Sequence, residues 1–283
     1  MPLDRAGWPG VTVARVTMTA VITGASSGIG EATARRLARE PGIELVLVAR
    51  REQRLRELAE SLPVPASYVA VDLTDEEAPE RVRAHLAERA VQLGLLVNNA
   101  GASWRADFAE GGYANVKRTM DVNFDAVVRL TEALLPLLRE SAPSAIVNVA
   151  STAGRVARGG TGSYSASKFA LAGWSDSLYA EERPHQVHVG LVLPGFIATE
   201  GFPAAELRQR ALTRWLVSTP EKAAEAIIDA GLNGKAERYI PRPYALAAVA
   251  RIVMPGLVRR VLTGGAAGSL TTKTGADAAD QKS

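Results

Sequence analysis

TAVITGASSGIG, residues 19–30, decides how this chain is read. Its first five residues suit a buried strand, and the glycines fall where that strand turns into the helix-forming GEATARRLARE. Gly24 permits the tight turn, while Gly28 and Gly30 allow backbone and helix to approach closely. Amides at a helix start carry partial positive charge and favour an anion such as a phosphate. A plain glycine-rich connection is the alternative reading. Placement directly after a strand favours the anion cradle.

Working outward, the same unit recurs. Apolar runs of strand length stand at 44–49, 67–71, 93–98, 145–150, 187–193 and 237–241, separated by amphipathic segments of helix length. One long helix is expected over roughly 113–139, and another contains YSASK. Strands apolar on both faces that alternate with helices predict an α/β fold: a single doubly wound parallel sheet with helices on both faces. No linker or internal repeat divides residues 18–260, which read as one domain. Residues 1–17 and 261–283 read as a disordered extension and a disordered tail. Asp72 closes the third strand and NNAG, 98–101, closes the fourth, both at the crevice where such sheets bind dinucleotides. For Asn98 a turn role and a binding role stay open.

Bulk composition excludes several alternatives. Lys+Arg 33 against Asp+Glu 30 gives a net charge of +3 without a dense basic block, so nucleic-acid binding has little support. Cys 0 removes disulfide and thiol chemistry and suits a reducing cytoplasm. His85, His185 and His188 lack metal-ligand spacing, so no metal is expected. No run of eighteen apolar residues exists, so no spanning helix is expected.

YSASK, 164–168, stacks a phenol and an ammonium one turn apart on a helix. Alone it is a common surface pair. Together, TGASSGIG, VDL (71–73), NNAG, Asn123 within DVNF, Ser151 within NVAS, YSASK and PGFIAT (194–199) resemble the short-chain dehydrogenase/reductase family. The resemblance covers residues 19 to about 200 and implies the one-domain, Rossmann-type subtype. It implies Tyr164 as general acid or base, with the Lys168 cation stabilising phenolate and holding the nicotinamide ribose. Ser151 is implied to bond the substrate oxygen, and Asn123 to hold a relay water. The implied cofactor residues are Gly24, Ser26, Ser27, Gly28, Ile29 and Gly30 in the glycine loop. Further along they are Arg50, Arg51, Asp72, Leu73, Asn99, Ala100, Gly101, Pro194, Gly195, Ile197 and Thr199. The chain departs from the family in lacking an acid before the fourth strand and a proline between serine and tyrosine.

An NAD enzyme of this type places Asp or Glu after the second strand to bind ribose hydroxyls. Here Ala49 is followed by Arg50 and Arg51, whose guanidinium groups suit a 2′-phosphate, so NADP(H) is favoured over NAD(H). Residues 196–216 read as a substrate lid carrying Phe196 and Trp215, which with Trp104 suggests an apolar pocket for a lipophilic ketone or secondary alcohol. Past it, Leu246, Val249, Ala250, Val253, Met254, Leu257 and Val258 form a helical stripe punctuated by arginines, with Pro255 a kink or stop. Packing on the domain or a subunit neighbour is the plainer reading, and contact of 244–260 with a membrane surface the other. The family implies a homodimer or homotetramer built partly on the two long helices. The leading expectation is an NADP-dependent carbonyl reductase or alcohol dehydrogenase. A catalytically idle NADP sensor or scaffold would have lost the tyrosine, lysine or serine. An epimerase or dehydratase would carry a different glycine loop and a larger C-terminal domain.

Overall fold

The computed structural model describes residues 18–89, 92–198 and 217–263. Six strands are parallel neighbours in the order expected of a doubly wound sheet: β1 (Met18–Thr23), β2 (Ile43–Ala49), β3 (Ala66–Ala70), β4 (Gln92–Asn98), β5 (Ser144–Val149) and β6 (Val187–Pro194). A short pair, β7 (Phe196–Ile197) and β8 (Val217–Ser218), was not foreshadowed by the sequence, and β9 (Glu237–Ile240) completes the main sheet. The order is β3-β2-β1-β4-β5-β6-β9, so the chain reverses its direction of travel between β1 and β4. That reversal opens the crevice at the carboxyl ends of these two strands.

Alternation along each strand sends neighbouring side chains to opposite layers. Ala20, Ile22, Leu45 and Leu47 pack under α1 (Gly28–Leu37), α2 (Glu52–Ser61) and α7 (Pro220–Gly231). Val21, Val46, Val48 and Leu96 pack on the other side under α3 (Ala78–Glu88), α5 (Ala126–Glu140) and α6 (Gly162–Glu182). A one-residue slip in register would swap the two layers, and the continuous apolar strands tolerate neither face being wet. Asn98 resolves as structural. It is buried and donates to Thr131 Oγ1 at 3.0 Å and Asn148 Oδ1 at 2.9 Å, tying β4 to β5 and α5.

The long helix expected over 113–139 is two helices joined by a wider turn. Within α4 (Phe108–Met120) a first turn breaks at Gly112, with φ 52° and ψ −159°, and the continuous helix starts at Tyr113 as expected, passes through a π-helical turn at Asp121–Asp125, and continues as α5. Such insertions re-aim side chains locally, and this one carries Asn123. At the C-terminus, α8 (Tyr244–Val253) ends before Pro255, which opens α9 (Pro255–Thr263). Helix therefore extends three residues into the stretch expected to be a disordered tail. Of the two covers expected for the stripe, its own domain and a subunit neighbour, the first is not the one used: Ala248 is the sole buried residue of α8, and α9 buries none. Among the described residues no helix is long and apolar enough to cross a membrane.

Candidate active site

The glycine loop is held from across the crevice. Thr23 at the end of β1 accepts from the backbone N–H groups of Asn99 at 2.9 Å and Ala100 at 3.0 Å, and donates to the Val97 carbonyl at 3.2 Å. Asn99 Nδ2 donates to the Thr23 carbonyl at 2.9 Å. Gly24 turns with φ 66°, in the left-handed region, and a Cβ on Gly30 would lie 2.2 Å from the Gly24 carbonyl oxygen. Only glycine fits at position 30, because any side chain would displace the turn itself.

Arg51 reaches back over this loop. Its Nη2 donates to Ser27 Oγ at 2.6 Å and Ser26 Oγ at 3.0 Å. Arg50 is exposed and sits 3.5 Å from the Asp72 carboxylate. Burial raises the Asp72 pKa, but two hydrogen bonds from Thr74 and the Arg50 charge outweigh it and hold the carboxyl below its usual range. The backbone carbonyl of Leu73 accepts from Arg129 at 3.3 Å, which fixes the turn after β3. A dinucleotide suits these residues: glycine backbone for the pyrophosphate, a guanidinium at the loop, and strand-end polar groups beside it.

Toward the other end of the crevice, β5 delivers Ser151 and α6 delivers Tyr164 and Lys168. Ser151 Oγ accepts from the Ala153 N–H at 3.1 Å and lies 3.3 Å from the Pro194 carbonyl, to which it donates. Tyr164 is half-buried. Burial raises its pKa, while a hydrogen bond with Ser151 and the Arg158 guanidinium pull it down, the net being upward. Lys168 is buried, its Nζ donating to the Val149 carbonyl at 2.9 Å and standing 6.0 Å from the centre of the Tyr164 ring. Burial brings its pKa down to about 8. Ser151 and Arg158 thus act on the phenol from one side, while Lys168 stands beside its ring with one donor on a strand carbonyl.

Asn123 is fully buried at the π-helical turn. Its Oδ1 accepts from Ala102 N at 2.8 Å, and its Nδ2 donates to the Ala102 carbonyl at 2.9 Å and Ser167 Oγ at 3.0 Å. Both amide hydrogens are used, so the side chain keeps one lone pair of Oδ1 for any water. A Cβ on Gly101 would come within 3.0 Å of Asn123 Oδ1 and 3.5 Å of Lys168 Nζ, which places these groups side by side.

Beyond β6, Gly195 donates its N–H to the Ile240 carbonyl at 2.8 Å and leaves room for Tyr244, whose ring a Cβ there would approach to 2.3 Å. Pro194 and Ile197 are buried nearby. Thr199, Trp215 and nearly all of the expected lid at 196–216 lie outside the described residues. The aromatic groups expected to line an apolar pocket carry charge on their faces. Arg118 lies 4.7 Å over the Trp104 ring, and Arg158 lies 4.7 Å over the Phe196 ring. Arg158 and Tyr244 had no sequence signal, since neither belongs to a motif, while Ser167 within YSASK and Val149 within NVAS lay inside motifs read for their neighbours. Among the described residues no cluster of His, Asp and Glu could hold a metal ion.

The family model for short chain dehydrogenases matches residues 18–209. An uncharacterized oxidoreductase of Bacillus subtilis is 34% identical over 251 residues, covering 86% of this chain and 70% of the relative. Hydroxysteroid 11-beta-dehydrogenase 1-like protein B of Xenopus laevis is 33% identical over 256 residues, covering 86% and 84%. Sulfoacetaldehyde reductase 2 of Chromohalobacter salexigens is 38% identical over 184 residues, covering 64% and 73%.

Proposed function

We propose, from the premise that the chain belongs to the short-chain dehydrogenase family and is an NAD(P)-dependent oxidoreductase, that it reduces a carbonyl to an alcohol with NADPH. The observation that carries this reading is the convergence of Ser151, Tyr164 and the buried Lys168, whose Nζ stands 6.0 Å from the centre of the Tyr164 ring, beside a glycine cradle at the sheet's reversal point. A bound nicotinamide supplies the hydride. Tyr164 donates its phenolic proton to the carbonyl oxygen as that oxygen gains charge, and Ser151 donates a hydrogen bond to the same atom. Lys168, its pKa brought down to about 8 by burial and with no carboxylate paired to it among the described residues, holds the nicotinamide ribose and the proton supply behind the phenol. Asn123 positions both by pinning Ala102 and Ser167.

Two features support NADP(H): β2 ends in Ala49 with no carboxylate for ribose hydroxyls, and Arg51 lies over the loop serines. Arg51 thereby stands in space where Ser27 leaves the loop without a basic residue. The substrate site combines apolar surface at Trp104 and Phe196 with polar groups at Ser151 and Tyr164. NADPH and NADH titrations, followed by cofactor oxidation against ketones and aldehydes, test the reading. NADPH-dependent turnover is expected, with Arg51→Ala eroding the preference for NADPH. Equal use of both nucleotides by the wild type would sink the cofactor assignment.

The C-terminal helices favour a peripheral role at an anionic lipid surface. Leu246, Val249, Ile252, Val253, Leu257 and Val261 are all more than half exposed, and residues 241–263 contain four arginines and no acid. Cosedimentation with phosphatidylserine vesicles, absent with phosphatidylcholine and lost in Arg259→Glu/Arg260→Glu, is the expected result. Assembly as a homodimer or homotetramer on the faces of α5 and α6 completes the reading, and light scattering of the purified protein tests it.

A further inference from the structure

Arg158 follows Ser151 by seven residues and precedes Tyr164 by six, on the loop that joins β5 to α6. Its guanidinium is stacked 4.7 Å over the Phe196 ring. Its backbone carbonyl accepts from Thr161 Oγ1 at 3.0 Å, which fastens the loop to the start of α6. The groups within electrostatic reach are the phenols of Tyr244 and Tyr164 and a second guanidinium, Arg105. Among the described residues no carboxylate pairs with Arg158. Burial is the largest influence on this guanidinium and lowers its pKa.

A half-buried cation without an anion is costly, and proteins rarely retain one at a packed position without a partner. Among the described residues the groups around it are a second cation and phenols that are neutral at ordinary pH. Stacking on Phe196 holds the planar fork in one orientation, so its remaining donors are aimed without further loss of side-chain freedom. Phe196 follows Pro194, whose carbonyl accepts from Ser151 Oγ at 3.3 Å, so the stacked guanidinium stands close to the reacting serine. Positive charge fixed on the Phe196 ring, next to Ser151 and Tyr164, is a receptor for an anion that arrives with the reacting carbonyl.

We propose that the substrate is a carbonyl compound carrying an anionic group, a carboxylate or a sulfonate, which Arg158 binds while Ser151 and Tyr164 engage the carbonyl oxygen. This deepens the reductase reading and rests on it. It also refines the lipophilic substrate expected from the aromatic residues: an apolar body packs on Phe196 and Trp104, and a charged end meets the guanidinium.

The test compares levulinate with its neutral amide, levulinamide, as substrates of the full-length protein at saturating NADPH. A charge-assisted contact is expected to favour levulinate in kcat/KM by about 10- to 100-fold. Arg158→Met should bring that ratio close to one, mainly through KM of the acid, and Arg158→Lys should recover part of it. Arg83→Met, on the remote surface of α3, should leave the ratio as it is. Calorimetric titration with butyrate against butyramide gives the same comparison without turnover. Equal affinity for acid and amide in the wild type, or a preference that survives Arg158→Met, overturns the proposal. Absence of turnover with every carbonyl would overturn the reductase reading alone, while tighter binding of butyrate that depends on Arg158 would still support the anion site.

Discussion

Helix α6 buries a charge near each end, and the two are treated in opposite ways. At its C-terminal end Glu182 receives a two-pronged contact from Arg139, at 2.8 and 2.6 Å, which joins α6 to α5. The Arg139 hydrogen bonds are the largest influence on Glu182 and hold its carboxyl below the usual range. Toward its N-terminal end Lys168 meets, among the described residues, one strand carbonyl, and burial brings its pKa down to about 8. Both side chains are buried, 2% and 3% exposed, so solvent is not what separates them. A paired charge locks two helices together. A buried cation given only a carbonyl keeps its proton loosely, and that is the property a proton-transfer site requires.

The largest effect expected to sharpen this contrast is at the group beside Lys168. Tyr164→Phe should lower kcat by about 10²- to 10⁴-fold while NADPH still binds, as stopped-flow turnover and cofactor fluorescence would read. Turnover at the wild-type rate would break the assignment of the unpaired end to chemistry.

Next comes the stability of Lys168 itself. Its folded pKa lies below the ordinary 10.5, so the unfolded chain binds the extra proton between about 8 and 10.5. Folding stability from this group therefore rises with pH across that window, by up to about 3 kcal/mol, and the charged lysine is a burden below it. Urea unfolding at about pH 7 and about pH 9.5 should show Lys168→Met gaining on the wild type at the lower pH and losing that advantage at the higher. A difference independent of pH would mean that the lysine is not desolvated.

At the paired end the sign reverses. Glu182→Gln should destabilise by about 1–3 kcal/mol at neutral pH, because a charged hydrogen-bond partner is lost from a buried position. The folded pKa of Glu182 is depressed, so its contribution is present above the unfolded value of 4.5 and disappears as pH falls through the lower folded value. The variant and the wild type should therefore converge in acid, which thermal melts can follow. Smallest of all, Arg83→Ala removes the exposed Glu80 pair on α3 and should leave the melting temperature unchanged within error. A clear shift there would show that pairing alone, without burial, stabilises this molecule.

Much of the fold was legible because its signals are local. Seven apolar runs became the seven strands of the main sheet, and TGASSGIG took its place at the end of β1. The tyrosine, lysine and serine were found through a recurring order of short motifs. The two-strand ribbon of Phe196–Ile197 with Val217–Ser218 escaped because two residues carry no periodicity. The π-helical turn at Asp121–Asp125 escaped because it interrupts the helical repeat for a single turn. For the C-terminal stripe, periodicity identified an amphipathic helix and could not say whether its apolar side would be covered.

By itself the sequence determined the order of strands and helices, the glycine cradle and the spacing of the phenol and ammonium along one helix. Each follows from backbone conformation and side-chain period within a few residues. Tertiary structure alone decided that Arg51 would cover the loop serines twenty-four residues away, that Asn123 would spend its amide on Ala102 and Ser167, and that Lys168 would face a strand carbonyl. It also set Arg158 on the ring of Phe196. Charge, burial and hydrogen bonding depend on which distant residues arrive at the same place, and chain order does not encode that distance until the sheet has closed around it.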